Sequence, residues 1–161
     1  MNRHNQGHCC DHLFTEFKFQ DLRSASPPNK KGVYVIRVKK EGSSVTKIVE
    51  QVKQFVQDLN WKLVENYILN RISRLEKINQ CPIIYIGSAG TYKDSRNTLK
   101  GRYQEFSGRH TAMYPIWALL YFGWELEFGW KEEDDPRNAE SQLKQKYAER
   151  HNNKLPALVK R

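Results

Sequence analysis

The 161-residue chain contains no apolar run long enough to span a bilayer, so nothing in it predicts a membrane protein or a membrane partner. We also expect no signal peptide, because no apolar segment with a cleavage site opens the sequence. Cysteine is scarce, and the three that occur show no disulfide-framework spacing: Cys9, Cys10 and Cys81. These absences predict a reducing, intracellular setting, with the cytoplasm as the expected location.

Acidic residues are few relative to basic ones. The sequence has 18 Asp and Glu against 27 Lys and Arg, which gives a formal net charge of +9 at pH 7. Such an excess in a small domain favours a polyanionic partner, with nucleic acid ahead of a membrane surface. A basic protein without such a partner is the alternative. Hydrophobic residues make up 39% of the chain, so we expect one globular domain over residues 1–161.

Residues 1–30 are predicted to form an N-terminal arm that ends in a loop rich in serine and proline. Zinc sites of the usual kind pair a Cys-x2-Cys motif with a second half-site, and neither is present in this arm. We therefore expect a polar terminus and no metal site. The arm nevertheless carries several potential metal ligands close together: His4, His8, Cys9, Cys10, Asp11 and His12.

Short apolar runs with β-branched residues predict strands at residues 32–38 (GVYVIRV) and 82–87 (PIIYIG). Alternating large apolar and polar side chains predict a third strand within residues 116–130. Because side chains repeat every second residue along a strand, Tyr34 and Tyr85 can present two phenols side by side on one face. The expected fold is α+β, with a small, mainly antiparallel three-stranded sheet flanked by helices.

Residues 45–79 lie between the first two strands and carry a helical repeat of apolar positions over roughly nine turns. This predicts a helical insertion, with a break into two helices at residues 58–61. Its polar face mixes charges and amides, so we interpret it as a packing element or dimer surface without chemistry of its own. Further helices are expected after Thr98, whose hydroxyl can cap one, and after an Asp-Asp-Pro sequence at 134–136.

The order of these features resembles the GIY-YIG nuclease family, named after two motifs that occur here as GVY at residues 32–34 and YIG at residues 85–87. In that family a helix with an essential arginine follows, then a third strand, a helix with a metal-binding glutamate, and a late asparagine. The matching positions in this chain are Arg102, Glu140 and Asn152. The resemblance covers residues 32–154 apart from the insertion. Either motif alone is weak, whereas the ordered set is fairly specific.

The resemblance implies a metal-dependent DNA endonuclease that hydrolyses phosphodiester bonds. Glu140 would hold one divalent ion, Mg²⁺ with Mn²⁺ as a substitute, because a single carboxylate leaves most of the ion's waters in place. Arg102 would stabilise the negative charge of the phosphorane. Tyr34 would act as general base, its pKa lowered by the metal and Arg102, while Tyr85 positions the water or the phosphate.

Further contacts are expected from loops around the second motif. His110, together with Asn152, is an additional catalytic candidate. The predicted phosphate-binding residues are Lys93, Arg96, Lys100 and Arg109. The insertion resembles that of restriction-type family members, which implies a site-specific, stand-alone enzyme that works as a homodimer.

Other interpretations stay open at this point. The same family includes repair and mobile-element nucleases, and a basic nucleic-acid-binding module without activity would also fit the charge. Each site residue also has an ordinary structural role: strand packing for the tyrosines, a surface ion pair for Arg102, and a favourable helix N-terminus for Glu140.

Overall fold

The structure, a computed structural model, describes residues 10–59, 68–77, 81–91, 97–106 and 112–159. The strands are β1 Lys18–Asp21, β2 Gly32–Lys40, β3 Ile83–Ala89 and β4 Glu125–Glu132. The helices are α1 Val45–Leu59, α2 Asn70–Ile72, α3 Arg74–Lys77, α4 Leu99–Glu105, α5 Met113–Tyr121 and α6 Pro136–Glu149. A 3₁₀ turn, Asp11–Leu13, precedes β1. No helix within these ranges has the length and apolar character that crossing a bilayer requires.

The described strands form one antiparallel sheet in the order β1-β4-β2-β3. This confirms the α+β class, but the prediction of three strands was wrong because β1 adds a fourth at the edge. β1 is short and mostly exposed, so it lacks the buried alternation that marks a strand in sequence. Phe19 holds it in place by packing over Gly129, where a Cβ would lie only 2.3 Å from the Phe19 ring.

The prediction of a strand beginning at residue 116 was wrong. Residues from Met113 form α5, in which Ile116 and Leu119 are buried at helical spacing. Gly123, at φ +85°, then turns the chain into β4. A continuous run of aromatic and aliphatic residues fits a buried helix as well as a strand, and periodicity does not separate the two. From Glu125 onward the predicted strand is confirmed.

Helix starts follow local sequence signals. The Thr98 hydroxyl accepts a hydrogen bond from the Gly101 N–H at 3.1 Å, and the Asp135 carboxylate accepts one from the Asn138 N–H at 3.2 Å. Both caps confirm the predicted starts of α4 and α6. Within the predicted insertion, α1 packs Val45 and Ile48 into the core, while the predicted break at residues 58–61 extends beyond the described residues.

Helices cover both faces of the sheet. Strand alternation assigns Tyr34, Tyr85 and Gly87 to the face covered by α4, and Val33 and Ser88 to the face covered by α6. The N-terminal arm also reaches the core, because Cys10 is 1% exposed. The expectation of a polar terminus was therefore wrong for Cys10, and residues 1–9 lie outside the described part of the chain.

The glycine of the second motif gives the first testable consequence. Gly87 pairs with Tyr34, and a Cβ at position 87 would lie 2.6 Å from both Cζ and the hydroxyl oxygen of Tyr34. We expect Gly87→Ala to lower the free energy of unfolding by on the order of 2 kcal/mol, because the buried ring has little space to move. Urea denaturation measures this loss. Gly101→Ala is the matched control, since the nearest atom to its added Cβ is 3.3 Å away; equal effects of the two substitutions would contradict the packing argument.

Candidate functional site

Two stacked phenols form the centre of the site. Tyr34 pairs with Gly87, and Tyr85 pairs with Ile36, so both tyrosines project from the same face. Their ring centroids lie 5.9 Å apart and their planes differ by 19°. The predicted side-by-side arrangement is therefore confirmed, and it depends on Gly87, whose missing side chain leaves room for the Tyr34 ring.

Aromatic packing gives the two tyrosines different exposure. Phe106 meets both rings edge-on, with centroids 5.9 Å from Tyr34 and 6.0 Å from Tyr85. Phe128 stacks on Tyr34 at 5.3 Å. As a result Tyr34 is only 2% exposed, whereas Tyr85 is half-buried. Tyr34 lies inside the cluster and Tyr85 lies at its rim.

The pKa values of the two phenols are shifted by different combinations of causes. Burial raises the pKa of Tyr34 well above its usual value, and the neighbouring Tyr85 raises it further, while Arg102 acts in the opposite direction. Burial also raises the pKa of Tyr85, and this pKa stays above its usual value although a hydrogen bond with Tyr34 acts to lower it. Arg102 was expected to lower the Tyr34 pKa below its usual value. The pKa is raised instead, because burial of the phenolate has a larger effect than the nearby positive charge.

Arg102 extends from α4 toward the phenols and is held from two sides. Its Nη1 donates to Glu105 at 2.8 Å. With the Asn97 carboxamide oxygen facing it, Arg102 also donates through Nε at 2.8 Å and Nη2 at 3.1 Å. The positive charge lowers the pKa of both Tyr34 and Tyr85, which places the guanidinium in their electrostatic range. Arg102 therefore combines an ion pair with a position beside the phenols.

Glu140 approaches the sheet from the opposite side. Ser88 donates to its Oε2, and Lys144, one helical turn along α6, donates to its Oε1. Ser88 projects from the α6 face, whereas the phenols project from the α4 face. Because β3 is the edge strand of the described sheet, the two faces meet around it. The Glu140 charge raises the pKa of both phenols.

The remaining predicted residues are not part of this group in the described structure. Asn152 lies exposed in the turn after α6, at φ 53°, and its side chain hydrogen-bonds none of the four residues Tyr34, Tyr85, Arg102 and Glu140 within the described ranges. Lys100 is exposed on α4, where a phosphate contact is sterically open. The other predicted residues lie outside the described part of the chain: Lys93, Arg96, Arg109 and His110.

Sequence reasoning missed several residues that shape the site. Glu105 lies three residues from Arg102, and Lys144 lies four residues from Glu140, so helical spacing could have identified both as partners. Ser88 and Asn97 had no such signal. Arg71 was also missed: it is 4% exposed, and its charge lowers the pKa of Tyr85. Arg71 belongs to α2, within the predicted insertion.

Comparisons of the chain with family models, with curated proteins and with solved structures found no match.

The donor set around Glu140 limits the kind of cation it can hold. Among the described residues, the one cluster of three or more potential ligands from His, Cys, Asp and Glu does not include Glu140. A single carboxylate suits an ion that keeps most of its waters, such as Mg²⁺, and does not suit a dehydrated, multi-carboxylate site. The Lys144 ammonium occupies one carboxylate oxygen, so it would compete with a cation bound there.

The buried phenol predicts a loss of stability in alkali. The folded-state pKa of Tyr34 lies above its unfolded value, so its contribution to stability is complete below about pH 10 and is lost as the pH rises through the folded-state pKa. We expect the free energy of unfolding to fall more steeply above about pH 10 in the unaltered protein than in Tyr34→Phe. Urea denaturation at several pH values measures the two slopes. Tyr121→Phe, at a position 85% exposed, should keep the unaltered slope; identical slopes for all three proteins would contradict burial as the cause.

Proposed function

We propose that the chain is a metal-dependent DNA endonuclease whose active site lies around the β3 edge. The observation that carries the proposal is the coupling of two stacked phenols to one guanidinium and one carboxylate at a single place on the sheet. Phosphodiester hydrolysis needs a proton acceptor for water, a donor to the phosphorane oxygens, and a site for a cation. Tyr85, Arg102 and Glu140 supply these three functions.

The geometry favours Tyr85 over Tyr34 as the residue that accepts the proton of water. A general base has to reach the water, and Tyr34 is 2% exposed. Tyr85 is more exposed, and its hydrogen bond with Tyr34 acts to lower its pKa against the larger, raising effect of burial. This exchanges the roles expected from the family resemblance. Tyr34 becomes the residue that positions Tyr85 and lowers its pKa.

Arg102 is suited to bind the scissile phosphate. Its planar guanidinium can donate two hydrogen bonds in parallel, and these strengthen as negative charge develops on the phosphorane. Glu105 and Asn97 hold the side chain in place, so little rotamer entropy is lost when a phosphate binds. The formal charge of +9 attracts the DNA backbone toward this edge, where Lys100 is exposed.

Glu140 is the residue that would hold Mg²⁺, with Mn²⁺ as a substitute. When bound, the ion supplies neutralisation of the charge on the phosphorane and on the leaving oxygen. Ser88 orients the carboxylate through its hydroxyl, and Lys144 neutralises it when no ion is present. Glu140 also raises the pKa of Tyr85, so neutralising this carboxylate favours the phenolate that accepts the proton.

A cleavage assay on supercoiled and linear DNA with Mg²⁺ or Mn²⁺ tests the proposal. We expect Glu140→Gln, Arg102→Lys and Tyr85→Phe each to reduce the rate by roughly 10²- to 10⁴-fold, because each removes a group that contacts the reacting atoms or their cation. Tyr34→Phe should retain more activity than Tyr85→Phe. Glu149→Gln, an exposed residue on the same helix as Glu140, is the matched control and should cleave normally.

The products and the variants separate the competing interpretations. Discrete fragments would support a site-specific, restriction-type enzyme, and a homodimer would then be sought by sedimentation. A continuous smear of DNA fragments would still support nuclease activity, and it would favour a repair or mobile-element role. Full activity in Glu140→Gln or Tyr85→Phe would refute the proposed site, whatever the products.

The ion pair between Lys144 and Glu140 predicts the metal dependence. Lys144→Met keeps the length of the side chain but removes the ammonium that competes with the cation. We expect the Mg²⁺ concentration for half-maximal cleavage to fall roughly fivefold, which corresponds to about 1 kcal/mol for a partly exposed pair. Lys146→Met, two residues further along α6 and exposed, should leave the requirement unchanged. An unchanged requirement in Lys144→Met would show that the cation does not bind at this carboxylate.

A basic nucleic-acid-binding module without activity is the second candidate. The observation that favours it is the full engagement of the Glu140 carboxylate by Ser88 and Lys144, on the face of the sheet opposite the phenols. Such a module would bind DNA with a strong dependence on salt. Binding without cleavage, on duplex and branched DNA with either ion, would establish this candidate in place of the enzyme.

A further inference from the structure

Three potential metal ligands from distant parts of the sequence meet inside the protein, away from the phenols. Cys10 is the first described residue of the N-terminal arm, Cys81 lies just before β3 with Pro82 between them, and His151 follows α6. They are 1%, 3% and 3% exposed, respectively. One coordinating atom from each lies within 4.8 Å of the others. Nothing in the proposed nuclease chemistry uses this cluster.

The spacing of the two sulfurs fits a metal centre. The Sγ atoms of Cys10 and Cys81 lie 3.8 Å apart. Thiolates bind zinc at about 2.3 Å, so two of them at tetrahedral corners are separated by about 3.8 Å. A disulfide would instead require the sulfurs to be about 2.05 Å apart.

The histidine is held in the orientation and tautomer that coordination needs. His151 Nδ1 lies 2.6 Å from the backbone carbonyl oxygen of Tyr147, and the ring stacks on the Tyr147 ring with centroids 3.8 Å apart. Donation to a carbonyl keeps the proton on Nδ1 and leaves the lone pair on Nε2. Metal-binding histidines usually make this outer hydrogen bond, which fixes the ring and increases its basicity.

Charge balance favours a divalent, sulfur-seeking ion. Two thiolates and one neutral imidazole around a divalent cation give a unit with no net charge, which buried surroundings tolerate far better than an isolated ion. Cysteine and histidine together select zinc over Mg²⁺ or Ca²⁺, which prefer oxygen ligands. This donor set therefore differs in kind from the single carboxylate of Glu140.

We propose that Cys10, Cys81 and His151 bind a zinc ion, with a water molecule as its fourth ligand, that joins the N-terminal arm to the start of β3 and to the end of α6. The positions Cys10 and Cys81 are 71 residues apart in sequence. Cross-linking such distant segments removes many unfolded conformations, so the bound ion stabilises the fold. The site also fixes α6, the helix that carries Glu140, without taking part in hydrolysis.

Metal analysis of the full-length protein, purified without chelator, tests the site. We expect zinc in equimolar amount, and after chelation we expect cobalt(II) to restore visible absorption bands typical of tetrahedral thiolate coordination. Cys10→Ser, Cys81→Ser and His151→Gln should each lose most of the bound zinc. His12→Gln, an exposed histidine of the same arm outside the cluster, should keep it.

Cobalt binding to the unaltered protein keeps the test valid if a cysteine variant fails to fold. Stoichiometric zinc together with the cobalt spectrum supports the proposal, and Glu140→Gln should leave both unchanged, because that residue belongs to the other site. Protein that lacks zinc and gives no cobalt bands would overturn it. So would copper in place of zinc, or a Cys10–Cys81 disulfide found by peptide mapping of the unreduced protein.

Discussion

The structure depends most on the pairing of Tyr34 with Gly87 across β2 and β3. The ring of Tyr34 fits only because position 87 has no Cβ, and this contact brings the aromatic side chains of β3, α4 and β4 around it. Burial then makes ionisation of Tyr34 costly, so its pKa lies well above the usual value. One steric requirement thus determines both the packing of the core and the protonation of the site.

Opposite charges act on the two phenols from opposite faces of the sheet. α4 brings Arg102 to one face of the sheet, and α6 brings Glu140 to the other. Arg102 acts to lower and Glu140 to raise the pKa of Tyr34, on the interior strand β2, and of Tyr85, on the edge strand β3. Burial is the largest effect on both phenols and keeps both pKa values above the usual value.

The two proposed ions would have different roles, one near the start of α6 and one just after its end. α6 carries Glu140 near its start, and the chain reaches His151 just after its end. A zinc ion at His151 would fix the end of α6 to the N-terminal arm, and the packing of Tyr147 against the sheet would transmit that constraint along the helix. A hydrated ion at Glu140 would require instead a site that exchanges ligands, and the Lys144 ammonium that pairs with this carboxylate is partly exposed.

Local signals in the sequence accounted for the elements that depend on neighbouring residues. The strands with Tyr34 and Tyr85, the cap at Thr98 and the start of α6 at Pro136 could all be predicted, because periodicity and capping act over a few residues. The helix α5 could not be predicted, since its run of large apolar residues is compatible with both a helix and a strand. β1 could not either, because it is held by Phe19 against a residue about 110 positions away.

The sequence by itself determined which reactive groups the chain carries and in what order. Only the tertiary structure decided their environment, because burial and charge at a site come from segments distant in sequence. It placed Tyr34 inside and Tyr85 at the rim, added Arg71 from the insertion, and paired Glu140 with Ser88. It also brought together Cys10, Cys81 and His151, whose spacing in the sequence follows no metal-binding pattern. Residues so far apart in sequence come close only through folding.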